Sequence, residues 1–260
     1  MTSSALKDGC ELIKPPRRNW TRPEQIRALE LYLRTPFGRI HSRNLEIISL
    51  AKSIGRTPSS VSLKMANFAA LDPTISQKGM GNYSRADANM WAEFFAAPSS
   101  FLSNIPSLQP IYNQEDVSKE NFTYEVREGV NVKRTTKARK NQSYFRKMLL
   151  VSYDGKCALT NIEQPELLIA SHIKPWAADK ETRLDPRNGI LLNALHDRAF
   201  DKGFITFEDD LSLVVSKHLK MPEMSRPFFE YDSLNQPERF APDPEFLRYH
   251  RENEFEKFLH

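Results

Sequence analysis

The sequence predicts an α+β protein in two parts, a helical N-terminal half and a C-terminal half built on strand, loop, strand and helix. Three observations carry this. From Trp20 to Ala97, apolar residues recur at helical spacing, each group opening behind a capping residue. In the stretch Ile169 to Phe204, short apolar runs (Leu167 to Ile169, then Ile190 to Leu192) are bounded by Pro, Asn and Gly, and helix-like Ala194 to Lys202 follows. Between the halves, Pro98 to Ser118 is rich in Ser, Pro and Asn and has no period. The resulting division is a flexible arm over 1–19, a helical domain over 20–97, a linker over 98–120 and a second domain over 121–260, with its core unit at 169–204.

The arm ends in Pro15-Pro16-Arg17-Arg18, which suits contact with a phosphate backbone. Thr21 and Glu24 then form a capping box, and Ile26, Leu29 and Leu33 make one apolar face until Pro36 and Gly38 stop the helix. Asn44 caps a second helix with Ile47, Ile48, Ala51 and Ile54 inward, ended by Gly55. Thr57-Pro58 opens a third, on which Val61, Met65 and Phe68 form the buried stripe. Ser84 with Asp87 caps a fourth helix, whose Met90, Trp91, Phe94 and Phe95 pack onto the first three. Phe122 to Val132 reads as a strand pair around Glu128-Gly129. Lys133 to Lys147 then holds seven basic residues and no acidic one, which makes it either a solvated face or a phosphate clamp. Gln142 to Val151 reads as a helix with Phe145, Met148 and Leu149 inward, and Cys157 as a buried turn residue without chemistry. Phe204 to Val215 alternates as a hairpin turning at Glu208-Asp209-Asp210, and a last helix spans Pro244 to Leu259.

Composition sets outer bounds. With 40% hydrophobic and 27% charged residues among 260, the chain has the make-up of a soluble globular protein. A net charge of +4 and a pI near 9.0 suit a polyanionic partner without requiring one. No apolar run approaches the ~20 residues of a membrane span, the N-terminus has no apolar signal core, and two distant cysteines, Cys10 and Cys157, fit a reducing cytoplasm.

The residues that carry chemistry lie in the core unit. Asp197 and Asp201 stand one helical turn apart, so two carboxylates share a face where a hard cation such as Mg²⁺, Mn²⁺ or Ca²⁺ would relieve their repulsion. His196 points about 100° away and is a second-choice ligand. The alternative is that Asp197 complements the helix dipole while Asp201 pairs with Arg198 or Lys202. His172, at a strand end ahead of Pro175-Trp176, is either a packed, hydrogen-bonded ring or a base. Its spacing delivers a base, an amide (Asn188) and an anionic helix (Asp197) in one unit.

The blocks ASHIKPW (170–176), DPRNGILLNALHD (185–197) and AFDKGFITF (199–207) resemble the HNH endonucleases with a ββα-metal active site, in their restriction-type variant, over Gln142 to Leu219. The resemblance implies that His172 is the general base and that Asn188 pins the loop between the strands. Asp197 and Asp201 would hold a single metal that serves the scissile phosphate. Ser171 stands where the family commonly has an Asp or His ligand, so the metal set would be Ser171, Asp197 and Asp201, with His196 as a candidate. Mg²⁺ or Mn²⁺ suits this set, and Zn²⁺ or Ni²⁺ becomes admissible if His196 ligates. With two cysteines no four-cysteine zinc site can be built.

Three short helices with a tight turn at Ile54-Gly55-Arg56 also resemble a helix-turn-helix or Myb-like fold. This implies base-edge contacts from Ser59, Ser60, Lys64 and Asn67 and phosphate contacts from Arg56 and Lys64, against the plain alternative of a helical scaffold. Lys133, Arg134, Lys137, Arg139, Lys140 and Lys174 complete the expected DNA contacts. The implied activity is hydrolysis of DNA phosphodiesters to 5′ phosphate and 3′ hydroxyl in bacterial restriction or phage defence. The partner would be double-stranded DNA, with base modification left open. One site cuts one strand, so a homodimer is expected. A nuclease acting on RNA or single strands, a DNA-binding regulator without catalysis, and a structural partner protein stay as alternatives. The tail's His250-Arg251 resembles a family feature that packs on the catalytic domain, while His41, His218 and His260 read as surface residues.

Overall fold

The computed structural model describes residues 18–75, 81–103 and 136–257, with the backbone alone at 103, 136–140, 224 and 227. It is an α+β protein. The arm up to residue 17, Phe122 to Val132, Lys133, Arg134 and His260 lie outside the described residues.

Helix α1 (Arg22–Leu33) starts where its cap predicts, with the Glu24 carboxylate accepting from the Thr21 N–H at 3.0 Å. Ala28, Leu29, Tyr32 and Leu33 are buried. Helix α2 (Leu45–Ser53) opens on Asn44, whose Oδ1 accepts from Glu46 N at 2.9 Å. Ile47, Leu50 and Ala51 face inward, but Ile48, expected inside, is 39% exposed because Leu50 takes the inner position. Gly55 makes the following turn at φ +64°, a left-handed conformation that glycine adopts without steric cost. Helix α3 (Pro58–Ala69) buries Val61, Met65 and Phe68, and α4 (Arg85–Ala96) buries Met90 and Phe94 behind the Ser84–Asp87 capping box. The Trp91 and Phe95 rings are half-buried, and Trp91 meets Tyr32 at 5.9 Å.

Helix α5 (Pro98–Ser103) occupies the first residues of the stretch read as linker. Proline is tolerated at a helix start, and Phe101 meets Phe94 edge-on at 5.8 Å while Leu102 is buried. The two halves meet in one core. The Tyr144 hydroxyl donates to the Glu30 carbonyl, Ser99 N donates to the Glu181 carbonyl, and Arg239 is buried against α1.

In the C-terminal part, α6 (Thr136–Ser152) lays Phe145, Met148 and Leu149 against an antiparallel pair, β1 (Leu168–His172) and β2 (Gly189–Asn193). Leu168 stands opposite Asn193 and His172 opposite Gly189. Every residue of β2 is buried, as the apolar run requires. Helix α7 (Ala194–Asp201) follows directly, and Asn193 Oδ1 caps it by accepting from Leu195 N and His196 N at 3.1 Å each. Strands β3 (Ile205–Phe207) and β4 (Leu213–Val215) form the expected hairpin. Helix α8 (Pro244–Asn253) is shorter than the sequence suggests and packs on β3. Among the described residues no helix is long and apolar enough to cross a membrane.

His250 of α8 is buried, its ring stacked on Phe200 at 3.8 Å. The Phe200 carbonyl can only accept, so Nε2–H donates to it and Nδ1 accepts from the Thr206 hydroxyl. A neutral imidazole satisfies both partners, and burial pushes the pKa down to about 4. The fold therefore favours the neutral ring. That stabilisation is complete above the unfolded value near 6.5 and is lost as pH falls towards 4, by roughly 3 kcal/mol. Urea unfolding between pH 7 and pH 4 will show this loss, and His250→Asn will flatten it; an equally steep fall in the variant would assign the acid sensitivity elsewhere.

Candidate active site

At its C-terminal end, β1 delivers two side chains. His172 is half-buried, its ring stacked on Phe145 at 4.0 Å with a 12° interplanar angle and edge-on to Trp176 at 5.3 Å. Its Nε2 lies 3.0 Å from the Arg183 carbonyl. A carbonyl only accepts, so Nε2 carries the proton and Nδ1 holds the lone pair. Burial lowers the pKa, the Arg183 carbonyl opposing, so the ring is neutral and can take a proton at Nδ1.

Asn188 is 1% exposed and ties the loop between the strands. Its Oδ1 accepts from Lys174 N at 2.8 Å, and Nδ2 donates to the carbonyls of Lys174 and Thr182 at 3.2 Å each. The amide thus joins both ends of the loop whose Arg183 carbonyl orients the imidazole.

Ser171 is buried, and its Oγ donates to Asp197 Oδ1 at 2.5 Å. Burial raises the Asp197 pKa, the serine hydroxyl opposes this, and the nearby Asp201 charge adds to the rise. Asp201 itself is 63% exposed and pairs with Arg198 at 3.3 Å and Lys202 at 4.0 Å, the pairing that the sequence offered as its alternative role. Among the described residues no three His, Cys, Asp or Glu side chains converge as a metal cluster. A half-buried carboxylate with a hydroxyl partner and a second anion nearby still fits a hard, largely hydrated dication. Magnesium keeps several waters and is commonly held by one or two carboxylates plus substrate phosphate.

His196 does not belong to that set, which corrects the ligand expectation. It is 1% exposed, with Nδ1 3.0 Å from Asn193 Oδ1 and Nε2 against the Phe228 carbonyl, between the Phe229 and Tyr231 rings. Both nitrogens are turned to protein oxygens inside the core, so neither is directed at a metal beside Asp197. The ring instead ties α7 to the segment around Phe228.

Two expected DNA contacts are also corrected. Lys64 is 6% exposed, its Nζ bonded to both Asp87 oxygens at 2.8 and 2.9 Å. Arg56 pairs with Glu24 at 2.8 Å, donates to the carbonyls of Arg18 and Asn19, and lies over the Trp20 ring. Neither charge is free for a phosphate, whereas Ser59 remains exposed and Ser60 and Asn67 half-exposed. Lys174 pairs with Asp179 at 3.0 Å. Lys137, Arg139 and Lys140 fall on the first turns of α6.

Gly189 supports the base in a way its Asn-Gly turn signal did not reveal. A Cβ there would stand 2.5 Å from the Phe145 ring and 2.6 Å from a Leu149 methyl. Both side chains are fully buried, and Phe145 is the ring on which His172 stacks. Gly189→Ala is therefore expected to cost about 1–3 kcal/mol through overpacking and to lower any cleavage rate further by tilting the imidazole. Denaturant unfolding alongside single-turnover kinetics checks this, and a variant with native stability and rate would show that the packing yields freely.

An HNH endonuclease family model matches residues 157–208, the stretch that contains β1, β2, α7 and β3 whole. No curated protein matches the chain. The match supports a nuclease of the HNH type, hence nucleic acid as the substrate class and a divalent metal of the kind such nucleases generally use.

Proposed function

We propose that this chain, whose residues 157–208 match the HNH endonuclease family, is a metal-dependent endonuclease that hydrolyses DNA phosphodiesters. The observation that carries the reading is the His172 imidazole, fixed as its Nε2–H tautomer by the Arg183 carbonyl and stacked on Phe145. A ring held that way presents Nδ1 to a water and takes its proton as the water attacks phosphorus. Asn188 holds the loop that holds the ring. Ser171 and Asp197 would bind the metal, with Asp201 one turn away and Mg²⁺ or Mn²⁺ the ion that oxygen donors suit. Zn²⁺ and Ni²⁺ lose their support because both His196 nitrogens are engaged. When bound, the ion polarises the scissile phosphate and stabilises charge on the leaving oxygen.

In this reading the helical part around α2 and α3 recognises double-stranded DNA through Ser59, Ser60 and Asn67. The basic stretch Lys133, Arg134, Lys137, Arg139 and Lys140 clamps the backbone. One site cuts one strand, so double-strand breaks require two copies, which supports a homodimer on DNA. Restriction or phage defence, on plain or base-modified targets, is the setting proposed. Ser171 favours a second reading, a DNA-binding regulator that does not cut, because a hydroxyl is a weaker ligand than the carboxylate or imidazole common there.

The test uses supercoiled plasmid, unmodified and cytosine-modified, with Mg²⁺, Mn²⁺ or EDTA. Nicking or linearisation with metal alone is expected, and Asp197→Asn should raise the metal concentration required. Binding without cutting in every metal would instead favour the regulator.

A further inference from the structure

A cavity of about 200 Å³ is lined in part by Arg183, the residue whose carbonyl lies 3.0 Å from the His172 Nε2. Its walls come from three elements distant in sequence: Ser99 of α5, Asn141 of α6, and Trp176, Lys180 and Arg183 of the loop between β1 and β2. Its donors are unmatched. Arg183 Nε donates to the Trp176 carbonyl at 2.6 Å, with the guanidinium 4.9 Å from the centre of the Trp176 ring, but both of its Nη groups lack partners among the described residues. Lys180 is exposed and has no ion pair among them. Ser99 Oγ is buried with no hydrogen-bond partner, a condition that costs free energy unless a ligand or water satisfies it. The one carboxylate in the wall, Glu181, is turned to the Ser100 hydroxyl at 2.7 Å.

We propose that this cavity is a second phosphate subsite, taking a phosphodiester next to the one being cut; the proposal rests on the nuclease reading above. Size and chemistry select the occupant. Pockets for organic ligands usually begin near ~300 Å³, so the space suits a phosphate group with its water rather than an extruded nucleotide. Two Nη groups, an ammonium and a hydroxyl supply donors, the Asn141 amide can turn its NH₂ inward, and cationic donors outnumber the one carboxylate two to one, which suits an anionic oxygen cluster. The scissile phosphate itself belongs near Nδ1, on the other side of the ring from the Arg183 carbonyl. A phosphate held by the Arg183 side chain therefore also steadies the carbonyl that orients the base, so that DNA binding contributes to placing His172.

The test is DNA affinity in EDTA as a function of salt, which needs no catalysis. Lys180→Gln and Arg183→Gln are compared with wild type and with Lys217→Gln, an exposed cation outside the cavity wall. Each cavity variant is expected to weaken binding of a short duplex roughly ten-fold at low salt and to reduce the slope of log affinity against log salt by about 0.9. Ser99→Ala should weaken binding without changing the slope, and Lys217→Gln should change neither. If the cavity variants behave like Lys217→Gln while wild type binds and cuts DNA, the subsite is wrong and the nuclease reading stands. If wild type shows no salt-dependent DNA binding, both fall. Because Lys180 is exposed, its substitution tests the proposal even if Arg183→Gln unfolds.

Discussion

His172→Ala will reduce DNA cleavage by roughly 10²–10⁴-fold, the range that a positioned general base contributes, while leaving DNA affinity in EDTA within a few-fold of wild type. The imidazole is held from three sides, by Phe145, Trp176 and the Arg183 carbonyl, and its remaining nitrogen has no hydrogen-bond partner among the described residues. Removing the ring also removes packing, so loss of activity by itself would not separate chemistry from structure. His172→Asn addresses this, since its amide N–H can still reach towards the Arg183 carbonyl but no nitrogen lone pair remains to take a proton. Both variants should lose cleavage, with Asn retaining more of the thermal stability. Retention of more than a tenth of wild-type rate by either one, at saturating metal, would remove His172 from the role of base.

The unit that carries His172 was readable because its signals are local. The run Ile190 to Leu192 is bracketed by Asn188-Gly189 and Asn193, so strand β2 and the cap of α7 follow from neighbours in sequence. The starts of α1, α2, α3 and α4 were legible for the same reason, each cap bonding within two or three residues of itself. What failed depended on partners that periodicity does not see. Lys64 lies on the stripe of Val61, Met65 and Phe68, an inward position that is costly for a charge until Asp87, 23 residues on, arrives to neutralise it. His196 looked like a ligand through its neighbour Asp197, but the Phe228 carbonyl that occupies it lies 32 residues away. The support of the base is of the same kind. Gly189 reads as a turn residue, and that its missing Cβ makes room for Phe145 becomes visible once α6 packs across the strands.

Arg239→Ala will destabilise the fold by about 3–5 kcal/mol, the cost of leaving a buried charge without its partner. Arg239 is 2% exposed and reaches from the C-terminal tail into the helical part. Its Nε lies 3.3 Å from Asp72 Oδ2, and Nη1 donates to the carbonyls of Tyr32 and Thr35 at 3.2 and 3.1 Å. The guanidinium also stands over the rings of Tyr32 and Phe240, 4.3 and 4.5 Å from their centroids. Truncation leaves the Asp72 carboxylate with hydroxyl donors from Tyr32 and Thr74 but no cation, and it uncovers two carbonyls near the end of α1. Lysine restores charge without the planar fork, so Arg239→Lys should recover part of the loss. Asp72→Asn in the Arg239→Ala background should also recover part, because it removes the orphaned charge. At a few degrees per kcal/mol for a chain of this size, melting should fall on the order of 10 °C. Since the residue belongs to one half by sequence and to the other by contact, loss of helix and exposure of Trp176 should shift together. A shift confined to the helical part, or one below about 1 kcal/mol, would mean that the two halves do not depend on this ion pair.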